Sequence, residues 1–138
     1  MLASWFFPFL LGPIRNGTLP ASAVPLLSFG GSGGSRMWST GSGTSRPSDD
    51  ASSRPVEVIL VTGVLPAQMH TLLLRSVTAG NVIEAATIVS YKNDAKVPTL
   101  MFELTKLLVD SHQVQSYDGD PVFTWEVTAK SLRTIKYQ

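Results

Sequence analysis

The chain has 138 residues, of which 43% are hydrophobic, and this suits a single packed domain with a tail to spare. It contains no cysteine, which excludes disulfides and thiolate metal sites. The formal net charge is only +1, and this argues against a strong, sequence-indifferent grip on nucleic-acid backbones, because that grip scales with the number of phosphates neutralised.

Residues 1–54 differ in composition from the remainder. All ten acidic residues lie between Asp49 and Glu126, and the first third is rich in Gly, Ser and Pro. We therefore expect a targeting leader and a flexible Gly/Ser-rich linker over residues 1–54, followed by a domain over residues 55–138. That domain is near neutral, with seven cations and eight anions.

The leader is acid-free, contains arginine and is rich in serine, as organellar transit segments are. These properties predict a mitochondrial location. A secretory signal, or an unprocessed protein of the cytoplasm or nucleus, stays open as an alternative. The apolar run Trp5–Leu11 is far shorter than the eighteen or so residues that cross a bilayer, so we expect no membrane span.

The domain begins with a β-branched, apolar run, Val56–Thr62, which ends at Gly63 and predicts a buried strand. Pro66 then marks the start of a helix, whose apolar residues recur at steps of three and four. Gly80 gives that helix its C-terminal stop.

A second strand is predicted over Val82–Tyr91, followed by a polar turn over residues 92–96. Pro98 then marks a second helix, which would run to Val109. Its apolar stripe would consist of Leu100, Met101, Leu104, Leu107 and Leu108.

Two further strands complete the domain. Gln113–Tyr117 alternates weakly, residues 118–121 form a turn signal, and the alternation around Trp125 predicts a half-buried strand. The predicted fold class is therefore α/β (α+β), a two-layer sandwich of βαβαββ order with both helices on one sheet face.

No arrangement typical of an enzyme is present in the sequence. His70 and His112 are far apart in sequence and lack metal-ligand spacing, and Asp118 and Asp120 flank a turn glycine without the further ligands of a calcium loop. No potential nucleophile has a general base at a sequence spacing that indicates a catalytic pair. We therefore expect no catalytic residue, no metal and no cofactor.

The domain resembles the eukaryotic Alba family of small nucleic-acid-binding domains, which have the same βαβαββ order. The resemblance rests on short motifs spread over most of the domain: Val61-Thr62-Gly63, Ala95, Glu103-Leu104-x-Lys106, His112-Gln113, Ser116, Trp125-Glu126, Thr128 and Leu132. It implies a nucleic-acid-binding module, with RNA as the expected partner and DNA as an alternative, acting as a homodimer or heterodimer in organellar RNA metabolism.

The resemblance places the nucleic-acid contact in the loop after the second strand. Lys92 and Lys96 would bind phosphates there, beside Asn93, and Tyr91 would stack on an unpaired base. Further basic contacts would come from Lys130, Arg133 and Lys136. Two alternatives stay open: a structural subunit of a mitochondrial ribonucleoprotein or other large assembly without strong RNA binding of its own, and a small-ligand regulatory domain.

Overall fold

The computed structural model describes residues 2–12, 14, 19–20, 23–33, 36–39, 55–91, 98–117 and 119–136. These residues form seven strands and two helices. The elements in chain order are β1 (Leu2–Phe6), α1 (Pro8–Leu11), β2 (Val24–Gly33), β3 (Arg36–Ser39), β4 (Val56–Thr62), α2 (Ala67–Ala79), β5 (Ile83–Tyr91), β6 (Leu100–Tyr117) and β7 (Asp120–Lys136).

Six of the strands close into an antiparallel barrel. The sheet order is β1-β5-β6-β7-β4-β2-β3, and an additional pairing joins β1 to β2, so β3 alone lies outside the closed ring. The predicted two-layer α/β sandwich is therefore wrong. Closure leaves no second layer of helices, since the sheet buries its apolar side against itself.

The closing seam between β1 and β2 is much shorter than the other pairings in the ring. It joins only Ser4 to Pro25 and Trp5 to Val24. Pro25 has no N–H to donate across this seam. By contrast, β6 and β7 pair along almost their whole length.

Part of the segment predicted to be leader and linker lies in the barrel. β1 pairs with β5 from Leu2 to Phe6, and the glycine-rich end of β2 pairs with β4. Without these two strands the ring would be open between β4 and β5. The division of the chain into residues 1–54 and 55–138 stays a prediction.

Three of the predicted elements occur where the sequence placed them. β4 has the predicted bounds, and β5 begins one residue later than expected. α2 ends at Gly80, which has a φ of 72° and donates its N–H to the carbonyl of Ser76. Local signals, such as a left-handed glycine cap, were sufficient for these elements.

The predicted second helix over Pro98–Val109 is wrong, because this stretch belongs to β6. Its interior side chains are Leu100, Phe102 and Leu104, and then Leu107 and Val109. The alternation of a strand therefore skips one position between Leu104 and Leu107. This skip, together with the apolar residues Met101 and Leu108 outside the interior, produced the three- and four-residue steps that resemble a helix.

The skip is shared by three neighbouring strands. In β5 the consecutive interior residues Ile83 and Ala86 are three positions apart, and so are Ala129 and Leu132 in β7. Both steps lie opposite the step from Leu104 to Leu107 in β6. Lys106, at the centre of this bend, has a φ of 53°. The three strands turn the corner of the barrel together here, and we call this region the corner.

α2 closes the end of the barrel where β4 finishes and β5 begins. Met69 and Leu73 are fully buried in the barrel core, together with Leu65 just before the helix. The Oγ of Ser76 accepts the N–H of Val109 at 2.9 Å. β5 pairs with β6 only as far as Leu107, so Ser76 replaces the missing strand at this position.

The interior combines many aliphatic side chains with several large aromatic ones. Trp5, Phe102 and Trp125 have no exposed surface, and Phe29 meets Phe102 edge to face at 5.6 Å between ring centroids. A second, smaller apolar cluster lies on the outer side of β1, β5 and β6, at Phe6, Val89 and Met101. The last residue of α1 and residues between α1 and β2 pack against this outer cluster, namely Leu11, Ile14, Leu19 and Ala23.

Candidate interaction surfaces

Most of the residues predicted to bind nucleic acid are not brought into one described site. Lys92, Asn93 and Lys96 lie outside the described residues. Lys130 and Arg133 are exposed on β7, and Lys136 is the last residue of that strand. A contact between the loop after β5 and these β7 cations therefore stays a prediction.

Tyr91 is the last residue of β5. Its ring packs against the outer apolar cluster, and its hydroxyl shares a hydrogen bond of 2.9 Å with the Oγ of Ser4. These contacts tie the end of β5 to β1. Stacking of this ring on a base stays a prediction.

The corner carries the ion pair that joins Lys106 to Glu84. The two side chains are 51% and 68% exposed, so the pair contributes little to stability. Thr105 and Ser131 share a hydrogen bond between their hydroxyls on the neighbouring strands. With Lys130 also exposed, the corner is a polar outer edge of the barrel.

At the other end of β6 and β7, a hairpin projects past its neighbours. The pairing of β5 with β6 ends at Leu107, and the pairing of β4 with β7 ends at Phe123. β6 and β7 continue to pair with each other as far as Tyr117 and Asp120. We call Ser111–Tyr117 and Asp120–Glu126 the projecting hairpin. No described strand pairs with β6 beyond Leu107 on the side that β5 occupies earlier.

A stack of rings stiffens the base of this hairpin. Phe123 and His112 lie nearly parallel to Trp125, with centroid distances of 5.9 Å and 5.4 Å. His70 of α2 meets Phe123 and Trp125 edge to face. The Nε1–H of Trp125 donates to the Oγ1 of Thr62 at 3.1 Å, which fixes the indole in the barrel end.

Both histidines thus have packing roles against one tryptophan. Among the residues that the structure describes, no three His, Cys, Asp or Glu side chains are grouped closely enough to hold a metal ion. Of the described helices, none has both the length and the apolar character needed to cross a membrane.

Charge is divided unevenly along the β6–β7 pair. From Leu107 to Ala129 the sequence has four acidic residues and no Lys or Arg. From Lys130 onward it has three cations and no acid. The stretch from Leu107 to Ala129, which includes the projecting hairpin, is therefore anionic, whereas the end of β7 is cationic.

A second surface lies on the outer wall of β2 and β4. Leu27 is 60% exposed and Ile59 is 48% exposed, and the partner of Ile59 across the strands is Gly30, which has no side chain. The wall is therefore apolar here, and Leu27 lies at an irregularity in the pairing of β2 with β4. Sequence reasoning missed it because Leu27 was assigned to the leader and Ile59 to a fully buried strand.

No protein-family model and no curated protein sequence matches the chain. Solved structures do match its fold. Hcp1 from Salmonella typhimurium has a TM-score of 0.66 and 10% identity, covering 99% of this chain and 87% of that chain. Hcp1 from the E. coli EAEC 042 pathovar has a TM-score of 0.62 and 10% identity, with full coverage of both chains.

A type VI secretion system effector from Yersinia pestis also matches, with a TM-score of 0.59, 8% identity and coverage of 99% of this chain and 98% of that chain. At such low identity these likenesses show a shared fold. They contradict the resemblance to Alba domains, because the matching structures are Hcp-type proteins whose barrel differs from a βαβαββ sandwich.

The functional predictions that followed from the Alba resemblance are also wrong. The structures that share the fold are bacterial type VI secretion proteins, which contradicts an RNA-binding module or ribonucleoprotein subunit of an organelle. The same finding contradicts the mitochondrial location and its transit peptide.

Proposed function

We propose that this chain is an Hcp-like structural component of a type VI secretion system. The observation that carries the proposal is the fold match over nearly the whole chain, which includes the three strands before residue 54. A match over nearly the entire length of both chains favours a shared role more than a match to one motif would, although fold alone does not fix function.

We further propose that the chain is not an enzyme. The two histidines, which would be the usual acid–base groups, pack against the rings of Trp125 and Phe123. The carboxylates of Glu126 and Asp110 accept cross-strand hydrogen bonds from Ser111 and Thr128 on the outer side of the sheet. This arrangement supports a role in assembly.

Secretion tests the proposal directly. A tagged copy would be expressed in the native strain, and the culture medium would be compared with that of a strain lacking a core type VI secretion gene. We expect the chain in the medium of the first strain and its retention in the cells of the second. Equal amounts in both media would contradict the proposal.

An assembly role also requires contact between subunits, and we propose that the chain associates with copies of itself through the apolar outer wall. Leu27→Lys with Ile59→Lys should reduce the mass measured by light scattering. Val82→Lys is the matched control, because Val82 is similarly exposed, at 54%, but lies before β5 and away from this wall. Equal masses for both variants and the parent would count against this surface.

A further inference from the structure

On the side of β6 that β5 occupies earlier, no strand among the described residues pairs with the backbone of the projecting hairpin. β7 occupies one side of β6 up to Tyr117, whereas the other side loses β5 after Leu107. A register shift between Val109 and Ser111 makes Asp110 a bulge, and the regular strand resumes at Ser111. From there to Tyr117 the edge is about 20 Å long, which suits an extended segment of several residues.

Lysines, prolines, bulges or covering elements usually prevent an edge strand from pairing with another chain. The bulge at Asp110 interrupts this edge at its start, and beyond it the described residues supply none of these devices on β6. Here α2 satisfies only the N–H of Val109, through Ser76. Val114, farther along the edge, is 55% exposed, and the hairpin contains no lysine.

The charge of the hairpin defines the chemistry of its partner. Asp120 and Glu126 are exposed on it and Asp110 is exposed directly before it, and Lys and Arg are absent from Leu107 to Ala129. The hydroxyls of Thr128 and Ser111 hold the carboxylates of Asp110 and Glu126 on the outer side, each through one oxygen. The remaining carboxylate oxygens can accept charge-assisted hydrogen bonds from cations.

The hairpin is also preorganised. The stack of His112, Trp125 and Phe123 and the bond from Trp125 to Thr62 hold its base against the barrel. A stiff edge loses little conformational entropy when a strand is added to it, which favours binding. Main-chain hydrogen bonds then supply affinity and the flanking side chains supply selectivity.

We propose that the open edge of β6 beyond the Asp110 bulge binds a cationic, extended polypeptide segment of a partner protein by strand addition. The apolar side chains of the segment contact Val114, and its lysines or arginines face the carboxylates of Asp110 and Glu126. This site is separate from the outer wall of Leu27 and Ile59, so it stands independently of the assembly role proposed above.

The test uses a labelled synthetic peptide that alternates lysine with valine, with binding to the full chain followed by fluorescence anisotropy. We expect saturable binding that weakens as salt is added. A peptide with glutamate in place of lysine should not bind. A version with a central proline should bind at least about tenfold more weakly, because proline cannot donate a hydrogen bond to a strand ladder.

Protein variants locate the site. Val114→Lys should weaken peptide binding at least about tenfold, whereas the equally exposed Val82→Lys should leave it unchanged. Asp110→Asn with Glu126→Gln should also weaken binding about tenfold. Glu57→Gln with Glu84→Gln removes the same charge elsewhere and should have a much smaller effect. Circular dichroism and urea midpoints verify that each variant is folded.

Three results would overturn the proposal. Equal binding of the proline peptide would show simple charge attraction without strand addition. Equal weakening by Val82→Lys would place the contact elsewhere. If the peptide does not bind but Val114→Lys lowers the mass of the protein in sedimentation, the edge pairs with a second copy of this chain.

Discussion

Lys106 has a φ of 53° within β6, and left-handed backbone of this kind costs an L-residue roughly 1–2 kcal/mol. The side chain is tied to Glu84 on β5, but both partners are exposed and an exposed ion pair is worth at most about 1 kcal/mol. The backbone conformation of Lys106 is therefore set by the bend of three strands, and its side chain offsets only part of the cost.

Replacing Lys106 by glycine and by alanine separates these two contributions. Both substitutions remove the ion pair, whereas only glycine adopts a positive φ at little cost. We expect Lys106→Gly to be more stable than Lys106→Ala by about 1 kcal/mol, as measured by urea denaturation. Equal stability of the two variants would mean that the corner relaxes when the lysine is removed.

Ser76 provides a second prediction. Its buried Oγ accepts the N–H of Val109, which Ser76→Ala would leave without a partner. A buried, unsatisfied backbone donor costs about 1–3 kcal/mol, and we expect a loss of stability in that range. Thr78→Ala is the control, because Thr78 is exposed and bonds only to the carbonyl of Leu74 within the helix. A loss of the same size in both variants would assign the effect to the helix itself.

At the level of elements, the sequence specified those whose signals are local. β4 is a run of β-branched residues, and α2 lies between Pro66 and the left-handed Gly80. β6 was mistaken for a helix because its direction changes at Thr105 and Lys106, and this bend is imposed by pairing with β5 and β7. Because the bend depends on pairing among three strands, the sequence of one strand alone does not predict it.

The candidate site shows the same division. The acidic run of the projecting hairpin and the apolar Val114 are visible in the sequence. The open edge is not, because it depends on β5 ending opposite Leu107. The outer wall could not be predicted either, since Leu27 lies in a segment whose composition is typical of a leader.

β1 is the element whose contribution can be tested most directly. It supplies Trp5 to the core and pairs with β5 on one side and β2 on the other. Deleting residues 1–6 would expose the edge of β5 and open the ring. We expect the truncated chain to lose its cooperative urea transition and to bind a hydrophobic dye. Removing Tyr137 and Gln138, which follow β7, is the control, and a cooperative transition in both variants would show that β1 is dispensable.

In the whole molecule, the barrel depends on pairing between distant parts of the chain. Leu2 pairs with Tyr91, and Val56 pairs with Ala129. Such contacts must overcome the entropy of closing long loops before they stabilise the fold. This explains why a reading of local pattern gave several correct elements but the wrong architecture.

The short seam between β1 and β2 has a consequence for the dynamics of the barrel. Only two residue pairs, one of them involving a proline, join β1 to β2, whereas every other strand pair of the ring has more. We expect the amide protons of β1 to exchange with deuterium through an opening of lower free energy than global unfolding, while those of the β6–β7 pair exchange only by global unfolding. Hydrogen-exchange mass spectrometry would measure both. If β1 and β7 exchange at the same rate, the barrel opens as one unit; if β1 exchanges first, the ring has a hinge through which copies of the chain could exchange their first strands.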